Sequence, residues 1–144
     1  WKIAGCPVNG PSIDAFDTSL GIAWFTVADG EGKVNASFWA SESKAPIRID
    51  NGNATGRVAI KMISKTEALV LWMEPKGDNE VIMLAKITAQ GKKISEVLIS
   101  ETSPERASGF PQLEVLDNTA YIAWTEVAEK NKEIKIAKVA LKNF

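Results

Sequence analysis

Five polar side chains in this sequence are of types that could bind a ligand together. They are Asn9, Arg57, Glu74, Arg106 and Glu126. Arginine guanidinium groups donate paired hydrogen bonds to carboxylates, while glutamate and asparagine side chains can bind hydroxyl groups. We predict that the five residues bind a small polar ligand. The alternative is that the arginines pair with the two glutamates or with backbone carbonyls and stabilise the fold.

Catalytic chemistry has little support in the residue types present. The chain has no histidine and one cysteine, Cys6, which excludes Ser-His-Asp and Cys-His nucleophile systems and the usual His/Cys zinc sites. Glu74 and Glu126 could be the carboxylate pair of a glycoside hydrolase. Such a pair needs two different environments, whereas these residues occupy equivalent places in a repeat. We therefore predict no complete catalytic set, no metal and no cofactor in this chain.

The composition excludes several classes of partner. The 144 residues are 24% charged and carry a net charge of −1, and only three of the 17 basic residues are arginines. This balance gives no electrostatic reason to bind nucleic acid or an anionic membrane. No apolar run is long enough to span a membrane. The sequence starts without a Met or a signal-peptide pattern, so we expect a fragment or a processed product.

The elements that would position these residues are strands. Runs of four to nine residues are rich in Val, Ile, Thr and aromatic residues and are broken by Gly, Asn, Asp and Pro, which predicts an all-β chain. Oxygen-rich segments at 50–53 and 117–118 are typical of turns rather than metal loops. We predict twelve strands, at residues 1–4, 12–17, 20–27, 33–40, 47–50, 58–63, 68–73, 81–88, 96–100, 112–116, 120–127 and 133–141.

The strands repeat in three cycles, and a tryptophan marks the second strand of each. Trp24, Trp72 and Trp124 lie 48 and 52 residues apart. Their strands read GIAWFTV, ALVLWM and AYIAWTEV, so both faces of each strand should be covered. Short antiparallel strands in repeats of about 40–50 residues are typical of β-propeller blades. We predict blades at 6–52 and 53–105 and an incomplete blade at 106–144, with residues 1–5 closing a neighbouring blade.

This architecture would bring the candidate residues to one rim. In a propeller, the loops that enter innermost strands and those that leave second strands emerge on the same face. Asn9, Arg57 and Arg106 precede or begin innermost strands. Glu74 and Glu126 each lie two residues past a marker tryptophan, where a second strand ends. We therefore expect all five around the central channel.

Several stretches resemble one protein family. They are GCPVNGPSID with GIAWFT, PIRIDNGNATGRVAI with LVLWME, and ERASGFPQL with YIAWTE. In this order, and over nearly the whole chain, they resemble the C-terminal half of bacterial sialidase-like β-propeller proteins with BNR repeats. The resemblance implies half of a six-bladed propeller. It also implies a glycan or another small polar ligand, and a secreted or periplasmic location.

The chain departs from that family at the places where sialidases do chemistry. Residues 40–45 and 89–93 lack the Asp-box, Ser-x-Asp-x-Gly-x-Thr-Trp/Phe, of BNR repeats. The family's sialidases resemble one another in an arginine triad, a Tyr–Glu nucleophile pair and an Asp acid/base, yet the one tyrosine here, Tyr121, is predicted to be a packing residue. The resemblance therefore implies a binding or assembly module. The alternative is part of an exo-alpha-sialidase-type glycoside hydrolase whose other catalytic residues lie in a missing N-terminal half.

Three blades cannot close a ring, so two sheet faces should need a partner. We expect a second copy of the chain or a missing N-terminal half to complete the propeller, and we expect the isolated monomer to fold poorly. Cys6 could be a small buried residue or, outside the cytoplasm, half of a disulfide with an upstream segment. Trp39 has no counterpart in the other cycles and could stack on a sugar ring.

Overall fold

The computed structural model describes residues 9–39, 45–104, 108–128 and 131–144, which contain three antiparallel sheets. Sheet A consists of β1 (Ser12–Phe16), β2 (Ser19–Ala28), β3 (Glu31–Trp39) and β4 (Ile47–Arg48). Sheet B consists of β5 (Gly56–Met62), β6 (Glu67–Lys76), β7 (Asn79–Thr88) and β8 (Lys93–Thr102). Sheet C consists of β9 (Gln112–Leu116), β10 (Thr119–Ala128) and β11 (Asn131–Ala140), and a short 3-10 helix at Leu141–Asn143 follows it.

In every sheet, strands that are neighbours in sequence pair with one another. The predicted all-β class is therefore confirmed, as are the four, four and three strands of the three cycles. The strand predicted at residues 1–4 lies outside the described residues. The strand predicted at 47–50 pairs only over Ile47–Arg48. Its end differs because the Asp50 side chain accepts hydrogen bonds from the backbone N–H groups of Val34 and Gly52 and turns the chain away from the sheet.

Two-residue turns join β1 to β2, β2 to β3, β6 to β7 and β9 to β10, and they fix the register of these pairs. In the turn between β9 and β10, Asp117 and Asn118 have φ angles of 48° and 59°. Asp29 and Gly30 between β2 and β3 have φ angles of 60° and 79°. A tight hairpin whose twist matches that of its strands needs positive φ at both central residues, and Asp, Asn and Gly tolerate it best.

Sheet B packs between the other two sheets. One buried apolar cluster combines Val34 and Phe38 of sheet A with Trp72 of sheet B. A second cluster combines Leu71 of sheet B with Trp124 of sheet C. Trp72 and Leu71 are adjacent in β6 and point to opposite faces, as successive residues of a strand do. The continuous apolar pattern of this strand therefore reflects burial on both sides.

The first strands of the three sheets lie side by side. The Ser12 hydroxyl accepts a hydrogen bond from the Ile60 N–H (3.2 Å), and Asp14 accepts one from the Met62 N–H (2.8 Å). Lys61 Nζ on β5 lies 3.5 Å from Asp14 Oδ1 on β1 and 3.1 Å from Glu114 Oε2 on β9. The Glu114 carboxylate, helped by Asp14, raises the pKa of Lys61. One lysine thus connects all three sheets along their first strands.

Sheets A and C each leave one face uncovered in the part of the chain that the structure describes. On sheet A, Ile13 and Trp39 point away from sheet B and are 63% and 74% exposed. On sheet C, Leu116, Ile134 and Ile136 point away from sheet B and are 59%, 71% and 65% exposed. We call these surfaces the open face of sheet A and the open face of sheet C.

Candidate functional site

Four of the five predicted ligand-binding residues are described, and they lie where loops enter first strands or second strands end. Asn9 precedes β1, Arg57 lies at the start of β5, and Glu74 and Glu126 lie near the ends of β6 and β10. The fifth, Arg106, lies outside the described residues.

Asn9 connects sheet A to the loop that enters sheet B. Its side-chain oxygen accepts a hydrogen bond from the Arg57 N–H (2.9 Å), and its amide group donates one to the Thr55 carbonyl (3.0 Å). Arg57 has a φ of 53°, a left-handed conformation that is unfavourable for a residue with a long side chain. The two bonds from Asn9 hold the backbone on either side of this position.

The Arg57 side chain points into the gap between sheets B and C. Its Nη1 donates a hydrogen bond to the Ser108 hydroxyl (2.5 Å) and lies 3.6 Å from the Met73 sulfur. The same nitrogen lies 3.8 Å from Oε2 of Glu80 on β7, and both side chains are largely buried. The proposed pairing of Arg57 with Glu74 or Glu126 is therefore wrong among the described residues, because the carboxylate beside it is Glu80.

Glu74 binds backbone and side chains of its own fold. Its Oε2 accepts hydrogen bonds from the Trp72 indole N–H (2.7 Å) and the Asn51 backbone N–H (3.1 Å), and its Oε1 accepts one from the Asn51 amide group (3.0 Å). The residue is 8% exposed. Both carboxylate oxygens are thus used to fasten the loop before β5 to β6. Among the described residues, Glu74 thus stabilises the fold through Trp72 and Asn51 and not through an arginine.

Glu126 repeats part of this arrangement in a more open setting. Its Oε2 accepts a hydrogen bond from the Trp124 indole N–H (3.1 Å), as Glu74 does from Trp72. Glu126 also lines a cleft of about 260 Å³ between sheets B and C. The other residues that line this rim cleft are Asn79, Glu101, Thr102, Ser103 and Val127.

The four described residues therefore do not all line one gap. Asn9 contacts the Arg57 backbone, and Glu74 lies in the gap between sheets A and B beside Trp72. Glu126 lies beside Trp124 in the gap between sheets B and C, which the Arg57 side chain also enters. A glycoside hydrolase places its two carboxylates on either side of one bond, roughly 5–10 Å apart. Glu74 and Glu126 do not face a common space, because sheet B lies between the two gaps.

Two buried polar residues beside the rim cleft were missed by the sequence analysis. Glu80 and Thr102 are cross-strand partners on β7 and β8 and are 6% and 4% exposed. Glu80 Oε2 and Thr102 Oγ1 have no hydrogen-bond partner among the described residues. Their signal in the sequence is weak, because a polar residue at a strand end beside a turn usually faces solvent. Only the tertiary packing buries them.

The aromatic candidates lie away from the rim. Trp39 ends β3 at the opposite end of sheet A, on the open face of that sheet. Tyr121 lies mid-strand on β10, with Lys138 Nζ 5.3 Å from the centre of its ring. A second cavity, of about 610 Å³, also lies away from the rim and is lined by Glu67, Lys86 and the Asp117 turn.

Within the described ranges, no group of three or more His, Cys, Asp or Glu side chains is placed to hold a metal ion. The same ranges contain no helix that is long and apolar enough to cross a membrane. Comparison of the chain with models of known protein families and with curated proteins finds no match. The class of protein is therefore defined by the structure, as an all-β chain of three stacked antiparallel sheets.

Proposed function

We propose that this chain is a three-blade module, half of a six-bladed sialidase-like β-propeller, that associates with further blades and presents a rim site for a small polar ligand. The resemblance to sialidase-like propellers makes a glycan the first ligand class to test and a secreted or periplasmic location the first to examine. The observation that carries the proposal is the pair of open apolar faces on sheets A and C.

The two open faces are of complementary kinds. Sheet B presents its Trp72 face to sheet A, and sheet C presents its Trp124 face to sheet B. The open face of sheet A is the one that carries Trp24, so it corresponds to the Trp72 face of sheet B. The open face of sheet C lies opposite Trp124. It corresponds to the faces through which sheet A contacts sheet B and sheet B contacts sheet C. Burying one large apolar side chain contributes about 1.5–3 kcal/mol. A further blade on either side would repeat an interface that the chain already contains.

The side-by-side first strands support a radial arrangement. Blades of a propeller place their first strands around a central axis, and Lys61 joins Asp14, on the first strand of sheet A, to Glu114, on the first strand of sheet C. Three sheets that share one lysine along one edge, and that stack through their faces, fit half of such a ring.

The native mass of the purified chain tests the proposal. We expect light scattering to give a mass well above the 15.6 kDa of one chain. Denaturing mass spectrometry then shows whether the complex holds a second copy or a different polypeptide with the remaining blades. A stable, well-folded monomer would contradict the proposal, because its two apolar faces would then need no cover.

A substitution on the open face of sheet C gives a matched test. Ile136→Lys places a charge in the middle of the proposed interface and should lower the native mass to that of one chain. Ile94→Lys makes the same change at an isoleucine that is 54% exposed on β8 of sheet B and should leave the mass unchanged. If both variants assemble like the parent chain, the open face of sheet C is not an interface.

The ligand and the reaction require separate assays. The enzyme alternative, an exo-alpha-sialidase-type hydrolase, needs catalytic residues from outside this chain, because Glu74 and Glu126 lie in different gaps. Binding on a glycan array without turnover of a fluorogenic sialoside would support the binding module. Turnover of the sialoside by the full-length gene product would favour the enzyme instead.

A further inference from the structure

The rim cleft between sheets B and C contains more hydrogen-bond acceptors than the described residues satisfy. Thr102, which lines the cleft, is only 4% exposed, and its hydroxyl has no hydrogen-bond partner among the described residues. Oε2 of its cross-strand neighbour Glu80 also has none. A buried polar atom without a partner costs about 1–3 kcal/mol. Such a cost is recovered when a ligand supplies the missing hydrogen bond.

The carboxylates around this cleft outnumber the cations that the structure places nearby. Glu101 is paired with Lys76 (2.6 Å), and Lys135 is paired with Glu133 (2.8 Å). Glu133 raises the pKa of Lys135, and the charge of Glu126 adds a smaller effect. Arg57 approaches Glu80 only to 3.8 Å and donates its hydrogen bond to Ser108. Glu126 has no salt bridge in the described part of the chain and accepts from the Trp124 indole.

We propose that the rim cleft binds a small organic ligand through a primary ammonium group. An ammonium group has three N–H donors and no acceptor, which suits a cleft lined by the Glu126 carboxylate and by Thr102, whose buried hydroxyl has no partner among the described residues. A charge-assisted bond to Glu126 would provide most of the affinity, and the Glu80 carboxylate next to Thr102 would add favourable charge. The volume of about 260 Å³ limits the ligand to a few heavy atoms around the ammonium group.

This inference deepens the rim-site part of the proposed function but does not depend on assembly. Both walls of the cleft, sheets B and C, belong to the described chain, so a ligand can bind whether or not further blades cover the open faces. Native mass tests the assembly, and ligand titration tests the cleft. Failure of one is therefore distinguishable from failure of the other.

The experiment is a titration of the full chain with 1,4-diaminobutane, followed through the indole N–H resonances of its tryptophans. The Trp124 indole donates to Glu126 in the cleft, and the Trp72 indole donates to Glu74 in the other gap. We expect a saturable shift of the Trp124 resonance and a constant Trp72 resonance, at an ionic strength of about 0.15 M, which screens surface attraction. The matched probes are 1,4-butanediol, without charge, and glutarate, with opposite charge, and neither should shift the Trp124 resonance.

Two variants test the residues. Glu126→Gln should weaken diamine binding at least tenfold, whereas Asp117→Asn, which removes one negative charge at the opposite end of sheet C, should leave it unchanged. Thr102→Val removes the buried hydroxyl at constant shape and should weaken binding several-fold without lowering stability. If Glu126→Gln fails to fold, diamine binding by Thr102→Val still shows whether the residues of the cleft bind the ammonium group.

Three results would overturn the inference. One is a Trp124 shift that does not saturate or that is shared by Trp72, which means nonspecific attraction. Another is equal binding of 1,4-butanediol, which would replace the ammonium class with a hydroxyl-rich ligand. The third is unchanged diamine binding in both Glu126→Gln and Thr102→Val.

Discussion

Glu74 and Glu126 occupy equivalent positions in two repeats, yet their surroundings differ. Glu74 accepts three hydrogen bonds through two oxygens, and Glu126 accepts one from its tryptophan. The same Trp-x-Glu sequence thus fastens a loop in sheet B and lines an open cleft in sheet C. The difference arises from Asn51, which has no equivalent in contact with Glu126 among the described residues.

We expect Glu74→Gln to lower the free energy of unfolding by about 2 kcal/mol, because the amide group places a donor against the donors of Asn51 and Trp72. Glu126→Gln should cost less than about 1 kcal/mol, since that side chain is half-buried and can turn. Urea unfolding of the two variants side by side gives the comparison. Equal losses would show that the loop contacts of Glu74 contribute nothing.

Arg57 and Glu80 should behave as a buried pair. Arg57→Met leaves the Glu80 carboxylate without its nearby cation and should destabilise the fold by about 3 kcal/mol. The double variant Arg57→Met, Glu80→Gln should recover a large part of this loss, because no buried charge remains. Denaturant unfolding of the parent chain, the two single variants and the double variant gives the coupling energy between Arg57 and Glu80. Additive effects of the two substitutions would mean that Arg57 and Glu80, 3.8 Å apart, do not stabilise each other.

The residue-level site was only partly predictable from sequence. The proximity of Asn9 and Arg57 followed from the repeat, since both lie at the entry to first strands. The partner of Arg57 did not follow, because Glu80 lies on a third strand and is buried only by sheet C. A repeat shows which residues are equivalent, but it does not show which gap each side chain enters.

At the scale of elements, the end of sheet A depends on one aspartate. Burial would by itself raise the pKa of Asp50, but the Arg48 guanidinium and the backbone N–H groups of Val34 and Gly52 outweigh burial and hold this pKa below its usual value. Oδ1 lies 2.9 Å from Arg48 Nη2, and Oδ2 lies 2.8 Å from the Val34 nitrogen. The ionised form is therefore the one that holds β4 and the following loop.

This pKa predicts an acid sensitivity. A carboxylate with a pKa lower in the folded state than in the unfolded chain, where it is about 3.9, stabilises the fold above that value and loses its contribution as the pH falls through the folded-state pKa. We expect the urea concentration at the midpoint of unfolding to decrease when the pH is lowered below about 4. The decrease should be less steep in Asp50→Asn. Parallel pH profiles for the two proteins would show that Asp50 is not responsible.

Gly32 on β3 lies in close contact with the loop at Ala54. A Cβ atom at this position would lie 2.0 Å from the Ala54 carbonyl oxygen, and the Gly32 carbonyl accepts the Ala54 N–H (3.0 Å). Gly32→Ala should therefore destabilise the fold by at least about 2 kcal/mol. Gly10→Ala, where a Cβ would meet nothing within 4 Å, is the matched control in thermal unfolding. Equal melting temperatures would contradict the close approach.

The strands themselves were predictable, with the exception of their ends. Apolar residues run without alternation through β6 because sheets cover both of its faces, and Asp-Asn or Asp-Gly pairs mark the turns. The predicted strand at 96–100 extends to Lys93–Thr102, since exposed polar residues of an outer strand carry no period-2 signal. Side-chain hydrogen bonds such as those of Asp50 end strands without any sign in the local pattern.

At the scale of the whole molecule, stability should depend on protein concentration. If the open faces are covered by association with other chains, unfolding includes dissociation, and the urea midpoint rises with concentration by mass action. Ile136→Lys should remove this dependence and lower the urea midpoint, because the separated chain loses the cover of its apolar faces. A midpoint that is constant over a hundredfold range of concentration would argue against association of the chain.

The difference between the two open faces has one more consequence. The open face of sheet A carries Trp24, whereas the open face of sheet C is the one opposite Trp124. Chains that join through these faces therefore pair the sheet A face of one copy with the sheet C face of the next, which is a head-to-tail contact. Head-to-tail contacts form a ring only when the rotation per chain closes, and otherwise they continue as a fibre. A small change in the angle between the stacked sheets would therefore give an open-ended polymer in place of the proposed ring.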